Sequence, residues 1–274
     1  MLRAALILAG SSVISAQMNP RDIVVRSVQA DDESARLRRN YTYQVRDVHK
    51  ELDGKGNVRL TETRTSDILF IGGKPYRHPI QKDDQPLSAQ EQAKVSKKLD
   101  KAVAEASQLS RAESDARFEE FERKRAKDRE QLKSIPDAFD FKLLREDVLD
   151  GRPAYVIAAT PRAGYHGKDH DLLGKMQGTL WIDKEDFHWV KVEAETLDTI
   201  SFGLFIARLA KGTHLEFQQI QVNGEIWLPK RASFIGSARL ALVKKFNVAE
   251  EVSFSNYRKF QADSKIVSTS AGQQ

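Results

Sequence analysis

One short loop carries the densest group of metal-binding side chains in the sequence. His166, Asp169, His170 and Asp171 lie within six residues, and imidazole and carboxylate groups are common ligands of divalent metals. Lys168 adds a positive charge to the group, and a metal ion would need further ligands to fix it. We therefore favour an exposed polar loop, and His166, Asp169 and His170 are the candidate ligands should a metal bind.

The rest of the sequence does not present a catalytic set. The other histidines are scattered over segments with strand patterning: His49, His78, His188 and His214. His-Glu-x-x-His, Gly-x-Ser-x-Gly and Walker sequences are absent. The chain has no cysteine, which excludes disulfide scaffolds, thiolate metal sites and cysteine nucleophiles. We expect a protein with no catalytic residues, no enzyme activity and no cofactor.

Large aromatic side chains are the best candidates for a binding role. Eight of them lie on predicted strands: Tyr41, Tyr43, Trp181, Trp189, Phe217, Trp227, Phe234 and Phe254. One face of a sheet needs an apolar core, so such residues are most often core residues. In a curled sheet the same face would line a ligand cavity. The sequence leaves both alternatives open, and we take the eight aromatics as candidate cavity residues.

The segments that carry these aromatics alternate between apolar and polar residues, which is typical of β-strands. Short turn sequences separate them, including Asp150-Gly151 and Asn223-Gly224, the latter a strong hairpin signal. Near the end of the chain we predict three strands, over 225–235, 238–247 and 250–259. About ten strands joined by hairpins predict an antiparallel sheet that curls into a half-barrel.

Two helical regions interrupt the strand pattern. Asn19-Pro20 has the composition of a helix start, and a helix is expected to about residue 38. Segment 87–133 contains neither Gly nor Pro, and Ser88 with Glu91 has capping-box spacing. We predict an α+β fold whose curled antiparallel sheet is covered by the N-terminal helix and this inserted helical segment. The insertion is either a solvated charged surface or a mobile lid.

The first 16 residues have the pattern of a secretory signal peptide. Arg3 precedes an apolar stretch over 4–14, and Ala16 provides a small residue at the expected cleavage site. Without cysteine the protein cannot carry the lipid of a lipoprotein. No apolar run approaches the roughly 20 residues of a membrane-spanning helix. We expect a periplasmic or secreted protein that does not span the membrane.

Charge adds little to this expectation. The chain has 44 Lys and Arg against 39 Asp and Glu, a net charge of +5, and the signs are mostly interspersed. An envelope location and this modest charge disfavour nucleic acid as a partner. They are compatible with a weak, peripheral attraction to anionic lipid headgroups.

Several strand motifs resemble those of the LolA/LolB superfamily of bacterial envelope proteins, which includes outer-membrane lipoprotein-sorting and RseB-like domains. Gly178-Thr179-Leu180-Trp181-Ile182-Asp183, followed by 187–193, is similar to that family's central hairpin. The strand 223–230, which ends in Leu-Pro, and the stretch 256–260 are similar to its later strands. The resemblance implies one domain over 17–260, in which the helical insertion 87–133 departs from the family pattern. The polar composition of the last residues predicts a flexible tail over 261–274.

The resemblance also implies a function. It predicts a periplasmic carrier that holds a lipid, an acylated molecule or another apolar ligand inside the curled sheet. The partner could then be a lipoprotein or another envelope protein. The alternative is a protein-interaction or sensor module that binds no small molecule.

Overall fold

The computed structural model describes residues 18–35, 41–202, 207–240 and 244–259. The expected signal peptide and the expected tail lie outside these residues. The helices of the described part are α1 (Pro20–Ala35), α2 (Ala89–Ser107), α3 (Arg111–Arg129), α4 (Ile135–Ala138), α5 (His170–Leu173) and a 3₁₀ turn over Glu130–Ser134.

The described part of the chain also contains thirteen strands. The first half comprises β1 (Tyr41–Leu52), β2 (Val58–Ile71), β3 (Lys74–Lys82), β4 (Gln85–Pro86), β5 (Phe139–Leu149), β6 (Arg152–Pro161) and β7 (Met176–Asp183). The second half comprises β8 (Trp189–Thr196), β9 (Ile200–Phe202), β10 (Ala207–Leu209), β11 (His214–Val222), β12 (Ile226–Leu240) and β13 (Lys244–Lys259).

All strands belong to one antiparallel sheet that curls without closing. Eleven strands form its main path, in the order β4-β3-β2-β1-β13-β12-β11-β8-β7-β6-β5, and β10 with β9 extends from β12. The last strand, β13, lies between β1 and β12 and is hydrogen-bonded to both. The predicted fold class, a curled antiparallel sheet with a few helices, is confirmed.

Helix α1 covers one flank of the sheet. The Asn19 side chain caps its first turn by accepting a hydrogen bond from the Arg21 amide at 2.9 Å. Ile23 and Val24 are fully buried. They pack on apolar residues of β6, β7 and β8: Ile157, Leu180, Ile182 and Trp189. We call this side of the sheet the helix-covered face.

The helical insertion connects the two edges of the sheet. It begins after the edge strand β4 and leads into β5, the opposite edge strand. The predicted capping box of Ser88 and Glu91 starts α2, and a second one, formed by Ser110 and Glu113, starts α3. Helices α2 and α3 contact β2 and β3, whereas α4 contacts β5 and α1. The insertion therefore passes over the helix-covered face.

The C-terminal strands differ from the sequence prediction. The structure has two long strands, β12 and β13, where three were predicted. The first predicted strand ended at residue 235, but β12 continues through Gly236 to Leu240. A Cβ on Gly236 would be 2.4 Å from Oγ1 of Thr213. This glycine therefore marks a close approach between β12 and the residue that precedes β11, and not a turn.

Candidate functional site

Helix α3 is seated on the turn between β2 and β3. Gly73 in this turn has a φ of +79°, and a Cβ there would lie 2.1 Å from the carbonyl oxygen of Ser114. The backbone of α3 therefore packs directly on the glycine. This contact places Phe118 and Phe121 against Phe70, with ring centroids 6.3 and 6.5 Å from that of Phe70 in edge-to-face geometry.

A cavity of about 340 Å³ remains between α3 and the sheet, and we call it the aromatic hollow. It is lined by Tyr41, Tyr43, Phe70, Pro75, Phe121, Arg125, Leu228, Pro229 and Tyr257. Tyr43 packs against Phe254 and Tyr257, at 6.0 and 5.5 Å between ring centroids. The volume falls within the range of roughly 300–1,000 Å³ typical of ligand pockets.

One charged side chain lines this hollow. The guanidinium carbon of Arg125 lies 5.5 Å from the centre of the Phe121 ring, which is a cation–π contact. Burial raises the pKa of the Tyr43 phenol, and the positive charges of Arg125 and Arg77 partly offset that rise. Tyr43 is therefore an uncharged hydroxyl at neutral pH.

A second hollow, of about 330 Å³, lies over the middle of the helix-covered face, and we call it the strand hollow. Its lining consists of Val192, Ala194, Leu215, Glu216, Phe217, Ala232, Ser233, Phe234, Glu250 and Val252. Val252 and Phe254 are alternate residues of β13 and so face the same side of the sheet. Phe254 packs on Tyr43, so an apolar strip leads from the strand hollow to the aromatic hollow.

The structure divides the eight candidate aromatics into two groups. Tyr41 and Tyr43 line the aromatic hollow, Phe217 and Phe234 line the strand hollow, and Phe254 lies between them. The three tryptophans are instead buried in packed clusters, with exposed fractions of 8% or less. Their indole N–H groups donate to protein oxygens, from Trp181 to Asp147, from Trp189 to Ser27 and from Trp227 to Asp186.

The candidate metal ligands are not gathered into a site. The rings of His166 and His170 are 5.9 Å apart between centroids, and Asp169 accepts a hydrogen bond from the Ser134 hydroxyl at 2.8 Å. Within the described residues, no group of three or more His, Cys, Asp or Glu side chains could hold a metal ion. The residues present therefore do not form a metal centre.

Ser34, His188 and Asp186 are arranged in the order of a hydrolase triad. Ser34 Oγ lies 2.7 Å from His188 Nε2, and His188 Nδ1 lies 3.3 Å from Asp186 Oδ1. Ser34 is nevertheless buried, and it does not line either of the hollows described above. The His188 ring also stacks on Trp227. We interpret these contacts as structural, because they connect α1 to the β7–β8 turn.

The opposite face of the sheet carries a larger and more polar hollow of about 510 Å³. Its lining includes Glu193, Glu195, His214 and Glu216, and Lys191 forms an ion pair with Glu193 at 2.5 Å. This hollow has three glutamates in its lining, against two in the strand hollow and none in the aromatic hollow, so burying an apolar ligand here would be the most costly. The helix-covered face is therefore the better candidate for the predicted cavity.

Sequence reasoning missed the residues that α3 adds to the site. Phe121 and Arg125 were part of a charged helical segment, and Phe70 was one strand residue among many. Only the pairing of α3 with the β2–β3 turn brings them to Tyr43. The Gly72-Gly73 pair was the available signal, because consecutive glycines permit a close backbone approach as well as a turn.

The fold and the two hollows define a class of protein: a curled, open antiparallel sheet with helices and apolar hollows on one face. No family model matches the sequence, and no curated protein matches it. Solved structures do resemble it in fold, and they include LolA superfamily, outer-membrane lipoprotein-sorting and MucB proteins. The described residues contain no helix with the length and apolar character needed to cross a membrane.

Three of these structures illustrate the likeness. A DUF1329 family protein from Desulfovibrio piger has 13% identity and a TM-score of 0.34, covering 88% of this chain and 94% of that one. A LolA superfamily protein from Nitrosomonas europaea has 11% identity and a TM-score of 0.31, covering 89% and 94%. A chain of the MucA/MucB complex from Pseudomonas aeruginosa has 13% identity and a TM-score of 0.24, covering 89% and 100%.

Proposed function

We propose that the protein is a binding or carrier protein for a chain-like apolar ligand, such as a lipid or an acylated molecule. The observation that supports this most directly is the aromatic hollow, which lies between α3 and the sheet and is not filled by side chains. Cores of folded domains are normally packed to crystal-like density. An unfilled cavity of this size with aromatic walls is therefore better explained by a ligand than by poor packing.

The strand hollow extends this argument. It lies on the same face, and Val252 and Phe254 connect the two hollows along β13. An elongated ligand would bury apolar surface along this strip, at roughly 25 cal/mol per Å² of area removed from water. The shape therefore favours a chain over a compact ligand.

We also propose that the protein acts in the periplasm or outside the cell. The support is the signal-peptide pattern of residues 1–16. Expression of the full chain in a bacterium should yield a protein in the periplasmic fraction whose intact mass corresponds to a start at Gln17. A full-length protein in the cytosolic fraction would contradict this proposal.

The ligand-binding proposal is tested by native mass spectrometry of protein purified without detergent, followed by organic extraction. We expect a stoichiometric adduct that releases an acyl-chain compound. If the protein is empty, it is then titrated with the neutral fluorescent probe N-phenyl-1-naphthylamine. Absence of both a bound compound and saturable probe binding would contradict the proposal and favour a module that contacts only proteins.

A pair of tryptophan substitutions locates the ligand. Ala232→Trp fills the strand hollow, which Ala232 lines, and should reduce probe binding severalfold. Ala249→Trp is the matched control, because Ala249 is paired with Ile235 on the opposite face. Equal loss in both variants would point to general destabilisation, which circular dichroism and thermal melting would reveal.

A further inference from the structure

The aromatic hollow is apolar except for a single charged group, and this asymmetry contains information about the ligand. Arg125 lies on α3 and lines the hollow, and its side chain is 39% exposed. The guanidinium group is therefore near the opening, where it can reach both solvent and a bound molecule. Most of the aromatic walls lie on β1, β2 and β13, and Phe121 on α3 completes them.

The ion pair that Arg125 forms leaves much of the hydrogen-bonding capacity of the arginine unused. Its partner Glu122, one turn earlier on α3, is 3.9 Å away between N and O atoms, which is beyond hydrogen-bonding distance. An arginine carries five N–H donors in a planar fork that matches a carboxylate. Arg77, whose charge also acts on Tyr43, has less capacity to bind a ligand, because its guanidinium group is paired with Asp47 at 2.5 Å.

Tyr43 adds a hydroxyl to the lining of the same hollow. Burial raises the pKa of this phenol, so at neutral pH the hydroxyl is uncharged and can donate a hydrogen bond. The hollow thus combines one positive charge with a neutral O–H donor among walls that are aromatic. A free small anion would gain nothing from those walls, whereas an acyl chain without a charged end would leave Arg125 unused.

We propose that the ligand of the aromatic hollow is a single acyl chain with a terminal carboxylate, and that Arg125 binds the carboxylate. This rests on the proposed function, because it assigns the head group of the molecule whose chain occupies the hollow. The chain lies among Tyr43, Phe70 and Phe121, and the carboxylate accepts charge-assisted hydrogen bonds from the guanidinium fork.

The test compares dodecanoate with 1-dodecanol, which has the same chain but no charge. Each compound displaces N-phenyl-1-naphthylamine from the full chain and from three variants. Arg125→Gln should weaken dodecanoate binding about tenfold, the effect of losing one charge-assisted hydrogen bond, and change dodecanol binding less than twofold. Arg125→Lys keeps the charge without the fork and should fall between wild type and Arg125→Gln.

Arg123→Gln is the matched control. Arg123 is exposed on the same helix, and its substitution removes the same charge without touching the hollow. If Arg123→Gln and Arg125→Gln weaken dodecanoate equally, general electrostatics explains the effect and the head-group proposal is wrong. If dodecanoate and dodecanol both bind but Arg125→Gln changes neither, the head-group proposal alone is wrong. If the probe binds but neither compound displaces it, the head-group proposal alone is wrong. If the probe does not bind and no compound is extracted, the proposed function is contradicted as well.

Discussion

Individual residues at the β7–β8 turn show how this protein buries charge. The Asp183 carboxylate is fully buried and accepts hydrogen bonds from Nε and Nη2 of Arg152, at 2.6 and 2.9 Å. It also accepts hydrogen bonds from the backbone N–H groups of Glu185 and Asp186. The buried charge is thus stabilised by the turn that follows it and by one arginine on β6.

Removing that arginine should be costly. Arg152→Ala leaves the Asp183 carboxylate buried without its counter-ion, and we expect the free energy of unfolding to fall by about 3 kcal/mol. Urea denaturation measures the difference. The control is Arg145→Ala, whose partner Asp147 is 3.2 Å away in an exposed pair, and which should cost less than about 1 kcal/mol. Equal losses would contradict the special role of Arg152.

Asp186 should make stability depend on pH. Burial tends to raise the pKa of this carboxyl, but hydrogen bonds from His188 and the Trp227 indole outweigh it and hold the pKa well below the usual range. A lowered folded-state pKa stabilises the fold above the unfolded-state pKa of about 3.9, and this contribution is lost as the pH falls further.

The variant Asp186→Asn isolates this effect. Compared with wild type, it should lower the free energy of unfolding clearly near pH 6 and much less near pH 3, as measured by urea denaturation. The same difference at both pH values would show that the Asp186 carboxylate is not responsible.

At the scale of elements, the turn between β2 and β3 positions α3 over the site. Gly73→Ala would place a Cβ within the backbone of α3 and force the helix away from the sheet. We expect a loss of more than about 1 kcal/mol in stability, faster amide exchange in α3 and weaker ligand binding. Gly56→Ala is the control, since Gly56 has a φ of +87° but no atom within 4 Å of the added Cβ.

This pair of variants separates backbone strain from helix displacement. Both introduce alanine at a positive φ, so both should destabilise to some extent. Only Gly73→Ala should change exchange in α3 and binding at the aromatic hollow. An identical pattern in both would mean that the glycine turn does not seat the helix.

The elements were predictable to the extent that their signals are local. The capping box of Ser88 and Glu91, the start of α1 at Pro20 and the antiparallel hairpins follow from neighbouring residues, and the structure contains them. The placement of Phe121 over Phe70 depends on a contact between distant parts of the chain. The predicted strand end at residue 235 was wrong for the same reason, because the space that Gly236 leaves is occupied by Thr213, which is distant in the chain and lies just before β11.

At the scale of the whole molecule, β13 joins two halves of the sheet. It is hydrogen-bonded to β1 on one side and to β12 on the other. Within the described residues, no other strand pairing joins β4-β3-β2-β1 to β12-β11-β8-β7-β6-β5. The apolar strip between the hollows also runs along this strand.

A truncation tests the role of β13. A chain that ends at residue 243 should lack cooperative unfolding and the near-ultraviolet signal of packed tryptophans. Addition of a synthetic peptide of residues 244–259 should restore both, because the peptide can complete the sheet by strand addition. Cooperative unfolding of the truncated chain by itself would contradict this prediction.

The position of β13 also governs when the protein can finish folding. Strand β1 is among the first segments to leave the ribosome, but its partner is about 200 residues later in the chain. Contacts of such long sequence separation form slowly, because the entropy of loop closure is lost before the contact stabilises anything. The nascent chain therefore carries an unpaired strand edge through nearly all of its synthesis, and a chaperone that shields such edges would raise its yield.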